Sequence, residues 1–179
     1  DPRQQAFKDN YKLMIGSILP RPIAFVSSRS KEGVDNLAPY SFFNGVCSNP
    51  PTISFCPVRR GTDGDIKDTL RNIRDTNVFA LNIVSESFAS EMVTTATEFP
   101  PEVSEFEESG LMPVPCDKID AMRVGEAKIS FECELNQIIE IGDGSPGSGF
   151  LVLGTIILFH VDDELYDNGR IDLEKLQPI

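Results

Sequence analysis

The chain has 179 residues, of which 40% are hydrophobic and 25% charged, proportions typical of a globular protein that buries a sizeable core. Its 16 basic and 28 acidic residues give a net charge of −12, which repels a polyphosphate backbone, so we expect no nucleic-acid partner. The longest apolar stretch, at 150–161, is shorter than the ~18 residues of a membrane span, so we expect no membrane partner. The length fits a single domain over 1–179.

The cysteine and histidine content limits the redox and metal chemistry. None of the four cysteines forms a C-x-x-C pair, and the single histidine excludes a multi-histidine zinc site. We therefore expect no metal, and reduced, mostly buried thiols in a cytoplasmic protein. The chain begins at Asp1 without a methionine or a secretory signal, which indicates a trimmed product.

The N-terminal part predicts a short helix followed by three strands. The segment 6–19 is weakly helical and ends before two prolines. The segment 23–29 is rich in β-forming residues, and further strands are predicted at 36–46, distorted by Pro39, and at 52–58. The short connections favour an antiparallel meander or Greek key.

The central part mixes helices with a strand. Ile66, Leu70 and Ile73 have helical spacing, which predicts a helix over 66–76 with Asp65 as its N-cap and Asn77 as its stop. A buried strand is predicted at 78–84, and a second helix at 85–99 before the next prolines.

Two long strands are predicted near the C-terminus. From Ile129 to Ile141 the odd positions are apolar and most even positions polar, which indicates a strand over 128–141 with one face on the core. The segment 150–161 is apolar at nearly every position, so we expect a strand buried on both faces. The sequence thus predicts a mainly β domain with a few short helices.

The segment between these strands, GDGSPG at 142–147, matches the dinucleotide-binding pattern G-x-G-x-x-G. Asp162 and Asp163 even lie roughly twenty residues further on, where that motif expects its ribose-binding acid. A dinucleotide site, however, needs a helix after the glycines, and here the following residues are β-branched and apolar. Pro146 and the additional glycines favour an exposed hairpin loop instead.

Two segments carry candidate binding chemistry. In DIKDTLRN, Lys67 and Thr69 fall in the first turn of a predicted helix, where free N–H groups and the helix dipole favour an anion. This pattern is typical of a phosphate monoester site, and also of a merely capped surface helix. The second segment, 36–57, places polar residues along apolar strands, which fits a flat aromatic ligand or ordinary turn chemistry: Asn36, Tyr40, Ser41, Asn44 and Ser54.

Five segments together resemble the flavin reductase-like family in their order: ILPRPIAFVSS, NLAPYSFFNGVCSNPPTISFCP, KDTLRNI, FALNIVSE and GTIILFHVDDELYDNGRID. These FMN-binding split barrels include flavoredoxins and the flavin reductase components of two-component monooxygenases, and within the family the segments resemble the nitrilotriacetate monooxygenase component B type. The resemblance implies a six-stranded Greek-key split β-barrel, a homodimer, and FMN at the barrel rim near the subunit interface. Family members usually continue past LQPI, so it also implies a missing C-terminal tail.

The resemblance assigns cofactor-binding residues by motif. The residues beside the isoalloxazine would be Asn36, Leu37, Ala38, Pro39, Tyr40 and Ser41, and those lining the cofactor groove Ser54, Phe55 and Cys56. The ribityl phosphate would be held by Lys67, Asp68 and Thr69, with Arg21 as a second phosphate partner. Because an acid beside a phosphate is unfavourable, Asp68 is expected to pair with Arg71 or to cap the helix.

The implied activity is NAD(P)H-dependent reduction of FMN, with reduced flavin passed to a partner monooxygenase. This chemistry requires no acid–base triad. His160 is either a nicotinamide contact or a structural residue at a strand end. Two alternatives are a flavoredoxin-type FMN electron carrier and a cofactor-less split-barrel binding or scaffold subunit. The apolar faces of 150–161 also favour a homodimer.

Overall fold

The computed structural model describes residues 1–179, and most of its strands belong to one antiparallel sheet. The strands are β1 Ala24–Arg29, β2 Asp35–Tyr40, β3 Phe43–Ser48, β4 Pro51–Phe55, β5 Val78–Ile83, β6 Pro113–Pro115, β7 Met122–Val124, β8 Ile129–Ile141, β9 Gly149–Val161, β10 Tyr166–Asp167 and β11 Arg170–Ile171. The helices are α1 Phe7–Ser17, α2 Asp68–Thr76, α3 Ala89–Thr94, α4 Glu105–Ser109 and α5 Leu173–Leu176, with 3₁₀ turns at Pro2–Gln4, Glu86–Phe88 and Asp163–Leu165.

The main sheet has seven strands in the order β2-β1-β5-β8-β9-β4-β3, so β2 and β3 form its two edges. These edges are joined by Ser41 and Phe42 alone. The connection reaches at most ~11 Å, whereas the edges of a flat seven-stranded sheet would lie ~29 Å apart. The sheet therefore curls until its edges meet at this corner without pairing, which confirms the mainly β split barrel.

The sheet has one strand more than the six implied by the family resemblance, because the single strand predicted at 36–46 is in fact two. The chain turns at Ser41 and Phe42, between β2 and β3. Pro39 lies in β2, where its missing N–H costs no ladder bond because β2 is an edge strand. The helix predicted at 85–99 is also shorter than expected, since α3 ends at Thr94.

Large apolar side chains from strands on both sides of the barrel fill its interior, and α2 packs against them through Leu70 and Ile73. Gly154 on β9 is required by this packing, because a Cβ there would lie 2.3 Å from Cζ of Phe79. A second core lies between the sheet and the helices after β5, and it includes Phe25, Leu37, Val84, Phe88, Met92, Phe106, Leu111, Val124 and Ala127.

Strands β8 and β9 form the long antiparallel hairpin that the sequence predicts. Its loop contains Gly142, Gly144 and Gly147 at φ values of 104°, 85° and 91°, a region that favours glycine. A strand rather than a helix follows the loop. The match to the dinucleotide-binding pattern is therefore accidental, and the hairpin prediction is confirmed.

The burial predicted for these two strands is only partly right. In β8 the burial does not follow the predicted alternation: Glu132 is fully buried, where the loop after β6 contacts it, while Ile141 is 57% exposed. In β9 the prediction of burial on both faces is wrong for this chain, because Phe159 is 52% exposed.

The expectation of mostly buried thiols is also wrong. All four cysteines are free, but only Cys133 is buried, whereas Cys47 is exposed and Cys56 and Cys116 are intermediate. No helix of the chain is both long and apolar enough to cross a membrane.

Candidate functional site

The first turn of α2 leaves hydrogen-bond donors free. Lys67 is the N-cap residue, with an extended backbone and no side-chain capping bond. The main-chain N–H groups of Asp68 and Thr69 have no acceptor in the protein. The predicted cap, Asp65, is wrong: its carboxylate accepts the Ile66 N–H at 2.8 Å, and the helix begins later. These free donors and the helix dipole together favour an anion at this end of α2.

The Lys67 side chain adds a cation without a counter-ion. It forms no ion pair within 4 Å, and its Nζ lies 5.6 Å from the centroid of the Tyr40 ring. Burial lowers the pKa of Lys67, and the Glu98 carboxylate acts in the opposite direction. An ammonium group that is partly desolvated and unpaired is available to bind an anion.

Asp68 does not oppose that anion, because two arginines neutralise it. Its Oδ2 lies 2.9 Å from Nη2 of Arg60, and its Oδ1 lies 2.6 Å from Nη1 of Arg71. The predicted pairing with Arg71 is confirmed. Sequence reasoning missed Arg60, which reaches Asp68 from the preceding loop with no periodic spacing to reveal it.

The Thr69 hydroxyl is committed within the protein. Thr69 is buried, and its Oγ1 donates to Oδ1 of Asn36 at 2.6 Å. The Asn36 amide in turn donates to both carboxylate oxygens of Glu105 at 2.9 Å, and the Leu37 N–H donates to Glu105 at 3.0 Å. Burial raises the pKa of Glu105, against the effect of these donors. Thr69 therefore offers an anion its main-chain N–H, whereas the sequence suggested its hydroxyl.

Two adjoining cavities bring together most of the predicted site residues, and they meet at Pro39, Tyr40 and Lys67. The cavity at the helix end is lined by Asn36, Ala38, Pro39, Tyr40, Arg60, Lys67, Asp68, Thr69, Thr95, Ala96, Thr97, Glu98, Phe99 and Glu105. The other is lined by Tyr11, Pro39, Tyr40, Ser41, Phe42, Cys56, Val58 and Lys67. The strand β2 and the start of α2 thus share one wall, at the corner where the barrel closes.

Four predicted cofactor residues line neither cavity. Leu37 and Phe55 are fully buried in the two cores. The Ser54 hydroxyl donates to the Asn44 carbonyl at 3.4 Å. Arg21 donates to main-chain carbonyls at the end of α1, and its Nε lies 3.3 Å from the Ser41 hydroxyl. Arg21 is thus close to a lining residue, but its guanidinium caps the C-terminal end of α1.

The Tyr40 hydroxyl is buried at the wall common to both cavities and has no hydrogen-bond partner. The Thr69 hydroxyl is nearby, but it donates to Asn36. Burial raises the pKa of Tyr40, so the group stays protonated and remains a donor. An orphaned donor in a cavity wall fits a ligand that carries acceptor atoms.

The structure places His160 away from these cavities. Its Nε2 lies 2.6 Å from Oε1 of Glu132, a fully buried carboxylate that also accepts the N–H groups of Asp117 and Lys118 at 2.7 Å. Burial alone would raise the pKa of Glu132, but these bonds bring it below its ordinary value. Although Asp117, Glu132 and His160 cluster closely enough to ligate a metal, their contacts already satisfy the buried carboxylate. Glu132 thus contacts both His160 and the loop after β6, and His160 lines neither of the two cavities.

Comparison with known proteins identifies the family of this chain. The family model named flavin reductase like domain matches residues 15–173. The chain belongs to the flavin reductase-like family. Members of this family bind flavin, which agrees with an anion-accepting helix end beside a cavity at the barrel corner.

Solved structures of this flavin reductase-like fold agree closely with the chain. Nitrilotriacetate monooxygenase component B from Bacillus cereus is 44% identical, with a TM-score of 0.94 over 99% of this chain and 88% of that chain. The 2-nitrobenzoate 2-nitroreductase NbaA of Pseudomonas fluorescens is 33% identical, with a TM-score of 0.87 over 99% and 84%. The flavoredoxin of Desulfovibrio vulgaris (Miyazaki F) is 26% identical, with a TM-score of 0.75 over 90% and 81%.

Proposed function

We propose that this chain binds FMN in the two adjoining cavities and catalyses its reduction by NAD(P)H, and that a partner monooxygenase receives the reduced flavin. The observation that carries the proposal is the start of α2, where the unpaired Lys67 ammonium and two free main-chain N–H groups face a cavity. A phosphate monoester is the group that these donors suit best. The similarity to a monooxygenase component B supports the choice of partner.

The remaining lining fits the rest of a flavin. The second cavity offers ring and aliphatic surface from Tyr11, Pro39 and Phe42, together with the hydroxyl of Ser41. Burial raises the pKa of Cys56, so its thiol is neutral and does not repel an electron-rich ring. Bound FMN would supply the hydride-accepting chemistry, and the protein's own residues need only bind it, orient it and leave one face open.

Binding and turnover test the proposal together. Titration of FMN with the purified protein should quench the flavin fluorescence. NADH or NADPH should then be oxidised at a rate that depends on added FMN, as followed by the loss of nicotinamide absorbance. A protein that neither quenches FMN nor oxidises either nucleotide would contradict the proposal and favour a cofactor-less scaffold.

The same preparation separates the other redox functions. A flavoredoxin-type carrier would retain FMN but oxidise NAD(P)H only slowly, and the similarity to a flavoredoxin keeps this function as the first alternative. Nitroaromatic reduction is a second alternative, because the NbaA nitroreductase is 33% identical. Consumption of 2-nitrobenzoate by the FMN-loaded protein with NAD(P)H would favour it over delivery of reduced flavin.

We also propose a homodimer in the cytoplasm. In the single chain, Phe159 and Ile157 are exposed on β9, and α1 has no buried residue although it carries Phe7, Tyr11 and Met14. A second copy would cover such apolar surface. The four free thiols agree with a reducing compartment. Sedimentation as a monomer at micromolar concentration would contradict the dimer.

A further inference from the structure

The helix-end cavity contains more acidic than basic side chains, which is unusual for a site that would hold a phosphate dianion. Its lining includes the cations Arg60 and Lys67 and the carboxylates Asp68, Glu98 and Glu105. If all five groups mattered equally to the ligand, the cavity would disfavour an anion. Their individual contacts show that they do not.

Two of the three carboxylates are compensated by fixed donors. Asp68 is paired with Arg60 and Arg71. Glu105 is buried and accepts hydrogen bonds from Asn36 and Leu37. Donors at hydrogen-bond distance offset much of the repulsion that each carboxylate would exert on a bound anion.

Glu98 is the carboxylate that lacks such compensation. It is exposed, forms no ion pair within 4 Å, and has one side-chain contact, with the Thr62 hydroxyl at 3.4 Å. It lines the same cavity as Lys67, and its charge acts on that ammonium. A bound phosphate would therefore share its main cation with a competing carboxylate.

We infer that Glu98 weakens the binding of FMN by opposing its phosphate. The inference rests on the proposed function, since it takes the phosphate to bind beside Lys67. Weaker binding of FMN suits a reductase that releases its reduced product. A carrier that keeps its flavin would gain nothing from this carboxylate.

The matched pair Glu98→Gln and Glu164→Gln tests the inference. Both substitutions remove one negative charge from an exposed glutamate, but Glu164 lies in the 3₁₀ turn after β9, lines neither cavity and forms no ion pair. Dissociation constants for FMN and riboflavin are measured for each protein by fluorescence quenching. A unit charge within a Debye length of a dianion should change affinity by roughly three- to tenfold.

Glu98→Gln should tighten FMN binding by that factor, leave riboflavin binding unchanged and slow the loss of FMN on desalting, while Glu164→Gln changes none of these. Unchanged FMN affinity in Glu98→Gln, equal tightening of both flavins, or the same gain in Glu164→Gln would overturn the inference. FMN binding by the wild-type protein distinguishes a failure of this inference from a failure of the proposed function. Tight FMN binding by wild type with no effect of Glu98→Gln overturns only the role of Glu98, whereas no FMN binding by wild type overturns the proposed function as well.

Discussion

Replacing Tyr40 by phenylalanine should stabilise the ligand-free protein and weaken FMN binding. The substitution removes a buried hydroxyl that has no hydrogen-bond partner, and it preserves the ring that packs on Phe55 with centroids 5.2 Å apart. An unpaired buried polar group costs about 1–3 kcal/mol. Because the Thr69 hydroxyl lies nearby and relieves part of that cost, we expect a gain of about 1 kcal/mol in the free energy of unfolding.

Binding should change in the opposite direction. If the hydroxyl donates to the flavin, its loss removes a neutral hydrogen bond of about 0.5–1.5 kcal/mol, which weakens FMN roughly three- to tenfold. Urea unfolding of Tyr40→Phe with and without FMN measures both effects, and Tyr166→Phe, at an exposed tyrosine, is the control. A loss of 1 kcal/mol or more in the ligand-free protein would refute the reasoning, because it would mean that the hydroxyl is already bonded.

Three further predictions concern the barrel, the hairpin and the phosphate site. Gly154→Ala should lower the free energy of unfolding by about 1–3 kcal/mol in urea, because its Cβ would meet the buried Phe79 ring; an unchanged midpoint would contradict that packing. Replacing Gly142 and Gly144 by alanine should leave FMN affinity within about threefold, since the loop lines neither cavity, and a loss of orders of magnitude would revive a dinucleotide site. The preference for FMN over riboflavin should rise as pH passes about 6, where the phosphate gains its second charge. At higher pH the preference should fall again as Lys67 loses its charge. Because burial lowers the pKa of Lys67, this fall should begin at a pH below the usual pKa of lysine, and a flat profile would count against an ionic contact.

Local patterns in the sequence predicted the elements but not how they meet. The spacing of Leu70 and Ile73 located α2, and the glycines and prolines located the hairpin loop. The start of α2 was misplaced because Asp65 bonds its own neighbour instead of capping the helix. The corner at Ser41 and Phe42 was missed because it is set by closure of the sheet, which a local pattern does not record.

In the candidate site, too, residues in continuous segments were predicted and residues brought in from distant segments were missed. The motif around Lys67 and the β2 segment identified eight lining residues because each group is continuous in sequence, and Cys56 is a ninth. Glu105 was missed because it bonds Asn36 from 69 residues away, and Glu98 because its segment joins the cavity only in the folded chain. The position of His160 was missed because its partner, the buried Glu132, lies 28 residues away on the neighbouring strand.

The FMN-to-riboflavin affinity ratio of Lys67→Ala decides whether the phosphate binds at the start of α2, because riboflavin lacks only the phosphate. A charge-assisted hydrogen bond of roughly 1.5–3 kcal/mol is lost, so FMN should bind roughly ten- to a hundredfold more weakly while riboflavin is barely affected. Lys118→Ala, at an exposed lysine outside both cavities, makes the same change in net charge and should alter neither affinity. Equal losses for the two flavins, or no loss for either, would contradict a phosphate site at the start of α2 and direct attention to Arg21 beside Ser41.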